Sequence, residues 1–158
     1  MKEIERKWIL SKLPDVGNQV PIHYERHFLF IGEEVEVRIQ RKGDKFEFER
    51  KVESNDLTRI GEKFEITEAE FNHFKQYAIG SLERESNIVD GVSVKVYKGK
   101  HTGLIRAEVE FSSEDEAKQF AVPEWFGQEI TDSPLGKDKK LIQLSSEGFN
   151  LLLEKYVR

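Results

Sequence analysis

Carboxylates recur at two-residue spacing near the start of the chain, as Glu3 and Glu5 in MKEIERKWIL, and again well along it, as Glu108 and Glu110 in LIRAEVEF. Oxygen ligands of this kind suit hard divalent cations such as Mg²⁺ or Mn²⁺. Lys7 continues the first series, and Lys51, Arg38, Arg59 and Arg84 lie further along. Such cations hold phosphate oxygens, the arginines through two-pronged contacts. In an extended segment residues two apart share a face. Glu3, Glu5 and Lys7 then stand opposite Ile4 and Trp8, while Glu47, Glu49 and Lys51 stand opposite Phe46 and Phe48. Leu104, Arg106, Glu108 and Glu110 likewise oppose Ala107, Val109 and Phe111.

Each of these strands has one apolar face and one face carrying both signs of charge. An open sheet can expose the charged face to water, with helices on the apolar side. A closed barrel can instead turn it inward, provided that the lumen is wet and binds charged ligands, because unpaired buried charge is costly. The spacing alone leaves both arrangements open.

Period-two alternation recurs along the chain and marks about eight strands. Gly43-Asp44 joins VEVRIQRK to KFEFERKV, and Asp90-Gly91 separates SLERESNIV from VSVKVYKG. MKEIERKWIL, IHYERHFLF, GEKFEI and LIRAEVEF complete the set. Short connections predict antiparallel pairing. Helices are few: Thr67 and Glu70 form a capping-box pattern opening TEAEFNHFKQYA, and Ser113 with Glu116 repeats it. The tail from Lys139 to Arg158 reads as helical, with Gly148 as its break.

A length of 158 residues fits a single domain over 1–158. Eleven Phe and two Trp supply core material, which argues against disorder. The formal charge of -5 gives no global attraction to nucleic acid or an acidic membrane, so neither is expected as a partner. Cysteine is absent, so thiolate chemistry is excluded. No apolar run approaches the ~20 residues of a bilayer span and no signal segment is apparent, so the expected location is cytoplasmic.

His23, His27, His73 and His101 lack metal-ligand spacing, and His101, in the Gly-rich stretch GKHTG, is expected to be exposed. That stretch lacks the strand-to-helix context and Lys-Ser or Lys-Thr pair of a phosphate-binding loop. Trp8 and Trp125 are expected to pack.

With these residues in order, the chain resembles the CYTH, or triphosphate tunnel metalloenzyme, superfamily. The resemblance rests on the ExExK strand from Glu3 to Lys7, Arg38 in VRIQRKG, Lys51, Arg59, GLIRAEVEF and WFGQEIT. It implies a mainly antiparallel, eight-stranded closed barrel forming a tunnel, with a few peripheral helices. It further implies Glu3, Glu5, Glu108 and Glu110 on Mg²⁺ or Mn²⁺, with Lys7, Arg38, Lys51, Arg59 and Arg84 as catalytic, phosphate-gripping groups. Lys95, Lys137 and Lys139 are additional candidates for substrate contact. The implied reaction is hydrolysis of a linear triphosphate, tripolyphosphate in the short bacterial members, with adenylate cyclase, thiamine triphosphatase or a binding tunnel of little turnover as alternatives. Oligomeric state, a homodimer included, is left open.

The chain departs from that pattern at several places. Gln40 stands where a second basic residue is usual after Arg38, and Leu82 where a lysine commonly precedes Arg84. Lys95 occupies the usual Asp position, Gly61 and Lys63 lie at the spacing of glutamates expected after Arg59, and Gly136 and Asp138 replace a usual Tyr and Asn.

Overall fold

The computed structural model describes residues 2–55 and 57–157. Eight strands close a barrel: β1 (Lys2–Ile9), β2 (Ile22–Ile31), β3 (Val35–Lys42), β4 (Lys45–Glu53), β5 (Thr58–Glu65), β6 (Gly80–Val89), β7 (Val92–Tyr97) and β8 (Ile105–Glu110). Around the barrel the order is β1-β5-β4-β3-β2-β6-β7-β8, and every pairing is antiparallel. Of the two arrangements open to the sequence, the closed one forms. Closure leaves no unpaired edge.

Turn chemistry sets the register of two hairpins. Asp90 and Gly91 have φ of 51° and 78°, the pair of positive angles that a tight two-residue hairpin turn requires. Gly43 has φ of 61° at the β3–β4 turn, which Asp44 completes. These turns align Lys42 with Lys45 and Val89 with Val92, so inward-facing parity carries from one strand to the next.

Apolar side chains pack mostly outside the lumen. Trp8, Leu10, Val92, Val94, Ala107 and Phe126 form one buried cluster, with Phe120 and Trp125 against it. Both tryptophans thus pack as the sequence predicts. The helix α1 (Glu68–Lys75) lays Phe71 and Phe74 against Phe46 and Phe48 on the outer wall. Its N-terminus has the full Thr67–Glu70 capping box, and the helix stops at Lys75, short of the predicted Ala78. At α2 (Glu114–Lys118), Ser113 accepts from the Glu116 amide, but the Glu116 carboxylate turns to Ser112.

A second cluster closes one end of the barrel. It joins Ile9, Leu82, Tyr97 and Leu104 from the strands to Ile130, Leu135, Leu141 and Phe149. Leu82 therefore belongs to the apolar plug, which explains the missing charge there. The tail forms two helices, α3 (Asp138–Leu141) and α4 (Ser146–Val157). Gly148 lies inside α4 and is not the predicted break. Ser145 marks the boundary, because its side chain accepts from the Gly148 amide and its carbonyl from the Phe149 amide. His101 corrects another expectation: it is 2% exposed, packed edge-on to the Phe149 and Tyr97 rings under the plug. Among the described residues no helix is long and apolar enough to cross a membrane.

Candidate functional site

Strand parity and closure bring charged side chains from all eight strands into one tunnel. Among the described residues ten cationic side chains line it against six carboxylates, with Glu36 buried behind Arg38 and Arg59 as a further anion, so positive charge is in excess in a chain whose formal net charge is -5. The cations are Lys7, Arg26, Arg38, Lys42, Lys51, Arg59, Lys63, Arg84, Lys95 and Arg106, and the carboxylates are Glu3, Glu5, Glu49, Glu108, Glu110 and Asp138. Most are held by partners, as burial of charge demands.

One wall combines β1 and β8 with β4 and β5. Glu5 lies directly across from Glu110, and Lys7 across from Glu108, in the β1–β8 register. Lys7 Nζ is 3.2 Å from Glu5 and donates to the Gly136 carbonyl at 2.8 Å. Lys51 reaches Glu3, and Arg59 lies 3.4 Å from Glu5 and 2.9 Å from Glu36. Gly61, opposite Lys51, leaves room for that lysine, since an added Cβ would sit 3.2 Å from Lys51 Cγ. Burial works against the Glu5 and Glu108 carboxylates, yet Lys7 lowers the first and Arg106 the second, leaving both below the usual range. Glu110 moves the other way, raised by burial and then by Glu5, Glu3 and Glu108. Lys51 is brought down to about 8 by burial, with Arg38 and Arg59 next.

The tunnel floor is organised by Asp138, delivered by α3. Its Oδ2 accepts from Arg26 at 2.7 Å and Arg84 at 2.8 Å, and its Oδ1 from the Tyr97 hydroxyl at 2.6 Å and Arg106 at 3.1 Å. Burial opposes this charge, but Arg106, Arg84 and Arg26 hold the carboxyl well below its ordinary range. Arg106 also grips Glu108, with bonds of 2.6 and 2.8 Å. Close by, Arg38 bonds Glu36 at 2.7 Å and Glu49 at 3.0 Å. Gln40 accepts from Arg26 and donates to Glu47 and Glu49, so its amide links charges where a second cation would add repulsion.

Lys95 bonds Ser86 Oγ at 3.1 Å and sits 4.5 Å from the Tyr24 ring centre, with Arg84 at 5.1 Å and Lys42 at 5.9 Å from that ring. Burial, then Arg84, brings Lys95 down to about 7. The Nε atoms of Arg38 and Arg84 are buried without a hydrogen-bond partner. Unpaired buried donors of this kind mark places where a ligand or water supplies the acceptor.

Of the predicted site residues, the tunnel gathers Glu3, Glu5, Lys7, Arg38, Lys51, Arg59, Arg84, Lys95, Glu108 and Glu110. Lys139 is not among its lining, and Lys137 instead lines a small adjoining cavity shared with Glu5, Lys7 and Arg59. Each lies 3.5 Å from Glu53, and Lys139 donates to the Glu33 carbonyl, so they fasten α3 to the barrel. Sequence reasoning did not assign Tyr24, Arg26, Lys42, Glu49, Arg106 or Asp138. Arg106 shares parity with Glu108, a signal that could have placed it. IHYERHFLF mixes apolar and charged residues on both faces, so Tyr24 and Arg26 had no such signal.

No protein-family model matches the chain. The inorganic triphosphatase of Nitrosomonas europaea is 29% identical over 148 residues, covering 89% of this chain and 97% of that protein. The inorganic triphosphatase of Acetivibrio thermocellus is 27% identical over 155 residues, covering 94% and 97%. A crystal structure of an inorganic triphosphatase matches with a TM-score of 0.63 at 26% identity, covering 90% of this chain and 95% of that one. A Bacillus halodurans structure, with a TM-score of 0.56 at 17% identity over 74% of this chain and 85% of that one, shares the fold. The sequence likeness and the shared closed barrel support a place for the chain in the CYTH, or triphosphate tunnel metalloenzyme, superfamily, and triphosphate hydrolysis is an activity of that family.

Superfamily members are generally metal-dependent. Among the described residues no group of three or more His, Cys, Asp or Glu is arranged to hold a metal ion. The donor chemistry nevertheless fits: Glu3, Glu5, Glu108 and Glu110 are hard oxygen donors in one tunnel. Burial raises Glu110, and repulsion from Glu5, Glu3 and Glu108 adds to it, a crowding of carboxylates that a divalent cation would relieve. Three of these four carboxylates instead engage cations of the protein.

Proposed function

We propose that the chain hydrolyses a linear triphosphate, inorganic tripolyphosphate above others, to release phosphate. The observation that carries this is the tunnel's excess of positive charge, with a cation contributed by every one of the eight strands. Arg38, Lys51, Arg59, Arg84 and Lys7 bind and orient phosphate oxygens through charge-assisted hydrogen bonds, with Lys95 adding a further contact. Arg26 and Arg106 extend the same cationic floor. Positioning and neutralisation by groups already in place are the main needs of phosphoryl transfer.

Glu3, Glu5, Glu108 and Glu110 would hold Mg²⁺ or Mn²⁺. When bound, such an ion neutralises phosphate oxygens and favours water as the nucleophile. Among the described residues Tyr24 is the one aromatic side chain of the tunnel lining, and its ring is already approached by Lys95 and Arg84. That leaves little surface for stacking a nucleobase or thiazole, which favours tripolyphosphate over ATP or thiamine triphosphate.

Lys95, Gln40 and the cations bound to carboxylates favour a second reading, a tunnel that binds polyphosphate and turns it over slowly. Residence in the cytoplasm and action as one domain over 1–158 complete the proposal. Incubation with tripolyphosphate, ATP and thiamine triphosphate, with and without Mg²⁺ or Mn²⁺, separates the readings. Metal-dependent phosphate release that Glu3→Ala and Glu108→Ala both abolish supports hydrolysis. Tight binding without turnover selects the second reading.

A further inference from the structure

Cations and carboxylates are shared unevenly inside the tunnel. Glu3 is engaged by Lys51, Glu5 by Lys7 and Arg59, and Glu108 by Arg106. On β7, the strand hydrogen-bonded to β8, Lys95 lines the same space with Ser86 Oγ and the Tyr24 ring as its nearest partners. A phosphate chain entering the lumen meets one cation resting on neutral groups. The other cations it meets along β1, β4 and β8 are already attached to carboxylates.

Resting on the hydrolysis reading for its ligand set, we infer that the phosphate chain loads before the metal and assembles the metal site by drawing Lys51 and Lys7 away from Glu3 and Glu5. A lone divalent cation approaches a net positive lumen, where its charge is opposed, whereas an anion is drawn in. A carboxylate that loses its cation in a buried setting is strongly destabilised until another positive charge arrives. Each cation captured by phosphate therefore creates a vacancy that a divalent ion fills. Lys51 is the principal exchanger: its charge sits on a flexible stem, and Gly61, across from it, places no side chain of its own against that stem. Arg106 stays in place, because Asp138 and the Leu135 carbonyl hold it as well. Coupling of this kind is reciprocal, so bound metal tightens the phosphate chain equally.

Calorimetric titration of the full chain with tripolyphosphate in EDTA, together with Mn²⁺ titration followed by electron paramagnetic resonance without anion, tests the order. Tripolyphosphate is expected to bind saturably in EDTA, and Mn²⁺ alone weakly. Lys51→Met is expected to strengthen anion-free Mn²⁺ binding by about tenfold, within the usual range of coupling between sites. Adding Glu3→Gln to that variant is expected to remove the gain. Absence of tripolyphosphate binding in EDTA overturns the inference, as does wild-type Mn²⁺ affinity equal to that of Lys51→Met. The wild-type titration in EDTA decides even where Lys51→Met does not fold. Binding coupled in this way without phosphate release refutes hydrolysis and leaves the loading order standing, and metal-dependent release without coupling does the reverse.

Discussion

Along β1 and β8 the tunnel wall carries Glu3, Glu5, Glu108 and Glu110, while β2, β6 and β7 contribute Tyr24, Arg26, Arg84 and Lys95 around a single helix-borne carboxylate, Asp138. The first wall crowds like charges, Glu5 directly opposite Glu110, and imports Lys51 and Arg59 from neighbouring strands to balance them. The second gathers cations and relieves them with one buried anion and an aromatic ring. A carboxylate-rich wall balanced by movable lysines suits exchange of partners. An arginine floor locked to Asp138 suits fixed geometry.

The comparison breaks most visibly at Asp138. Asp138→Ala leaves Arg26, Arg84 and Arg106 buried without their shared partner, and loss of about 3–5 kcal/mol in urea unfolding is expected. An equal loss from Glu3→Ala, whose partner Lys51 also has Glu49 at 3.6 Å, would erase the distinction between the walls. Lys51→Ala is expected to reduce turnover of tripolyphosphate by about a hundredfold or more, the scale seen when one charge-stabilising donor is removed. Steady-state kinetics check it.

Smaller changes sharpen the picture. Gly136 has its Cα so near the Ile130 carbonyl that an added Cβ would lie 1.9 Å from that oxygen. Gly136→Ala is expected to cost about 1–3 kcal/mol in thermal or urea unfolding and to disturb the carbonyl that accepts from Lys7. Lys95 gives the mildest test. Its folded value of about 7 lies below the ordinary 10.5, so the native chain binds fewer protons than the unfolded chain between those limits. Its burial cost is fully present below pH 7, and stability rises with pH from about 7 to 10.5. Binding of tripolyphosphate at pH 8 restores the charge, so proton uptake is expected in calorimetry with buffers of different ionisation enthalpy. Lys95→Met should remove its share.

Much of the tunnel was readable from alternation. Glu3, Glu5 and Lys7, the Glu49–Lys51 pair, and Arg106 with Glu108 and Glu110 have inward parity dictated by apolar residues on the other face. That local pattern is strong because one face of each strand must be buried against helices or loops. Gly43 and Asp90-Gly91 set hairpin turns, and Thr67 with Glu70 set a helix start, for equally local reasons. Gly148 misled because a glycine near a helix start is tolerated when a preceding serine supplies the cap.

The amino-acid sequence by itself determined the strands, their two faces and the kinds of charge that each face carries, since these follow from side-chain period and turn residues. Only the tertiary structure decided that the charged faces point inward, because closure depends on strands far apart in sequence meeting, as β1 meets β8. It also decided that Asp138 joins three arginines, that Leu82 plugs the barrel and that Lys137 and Lys139 turn to Glu53. Those outcomes depend on where a short helix docks against the barrel, and no local period records the distance between them.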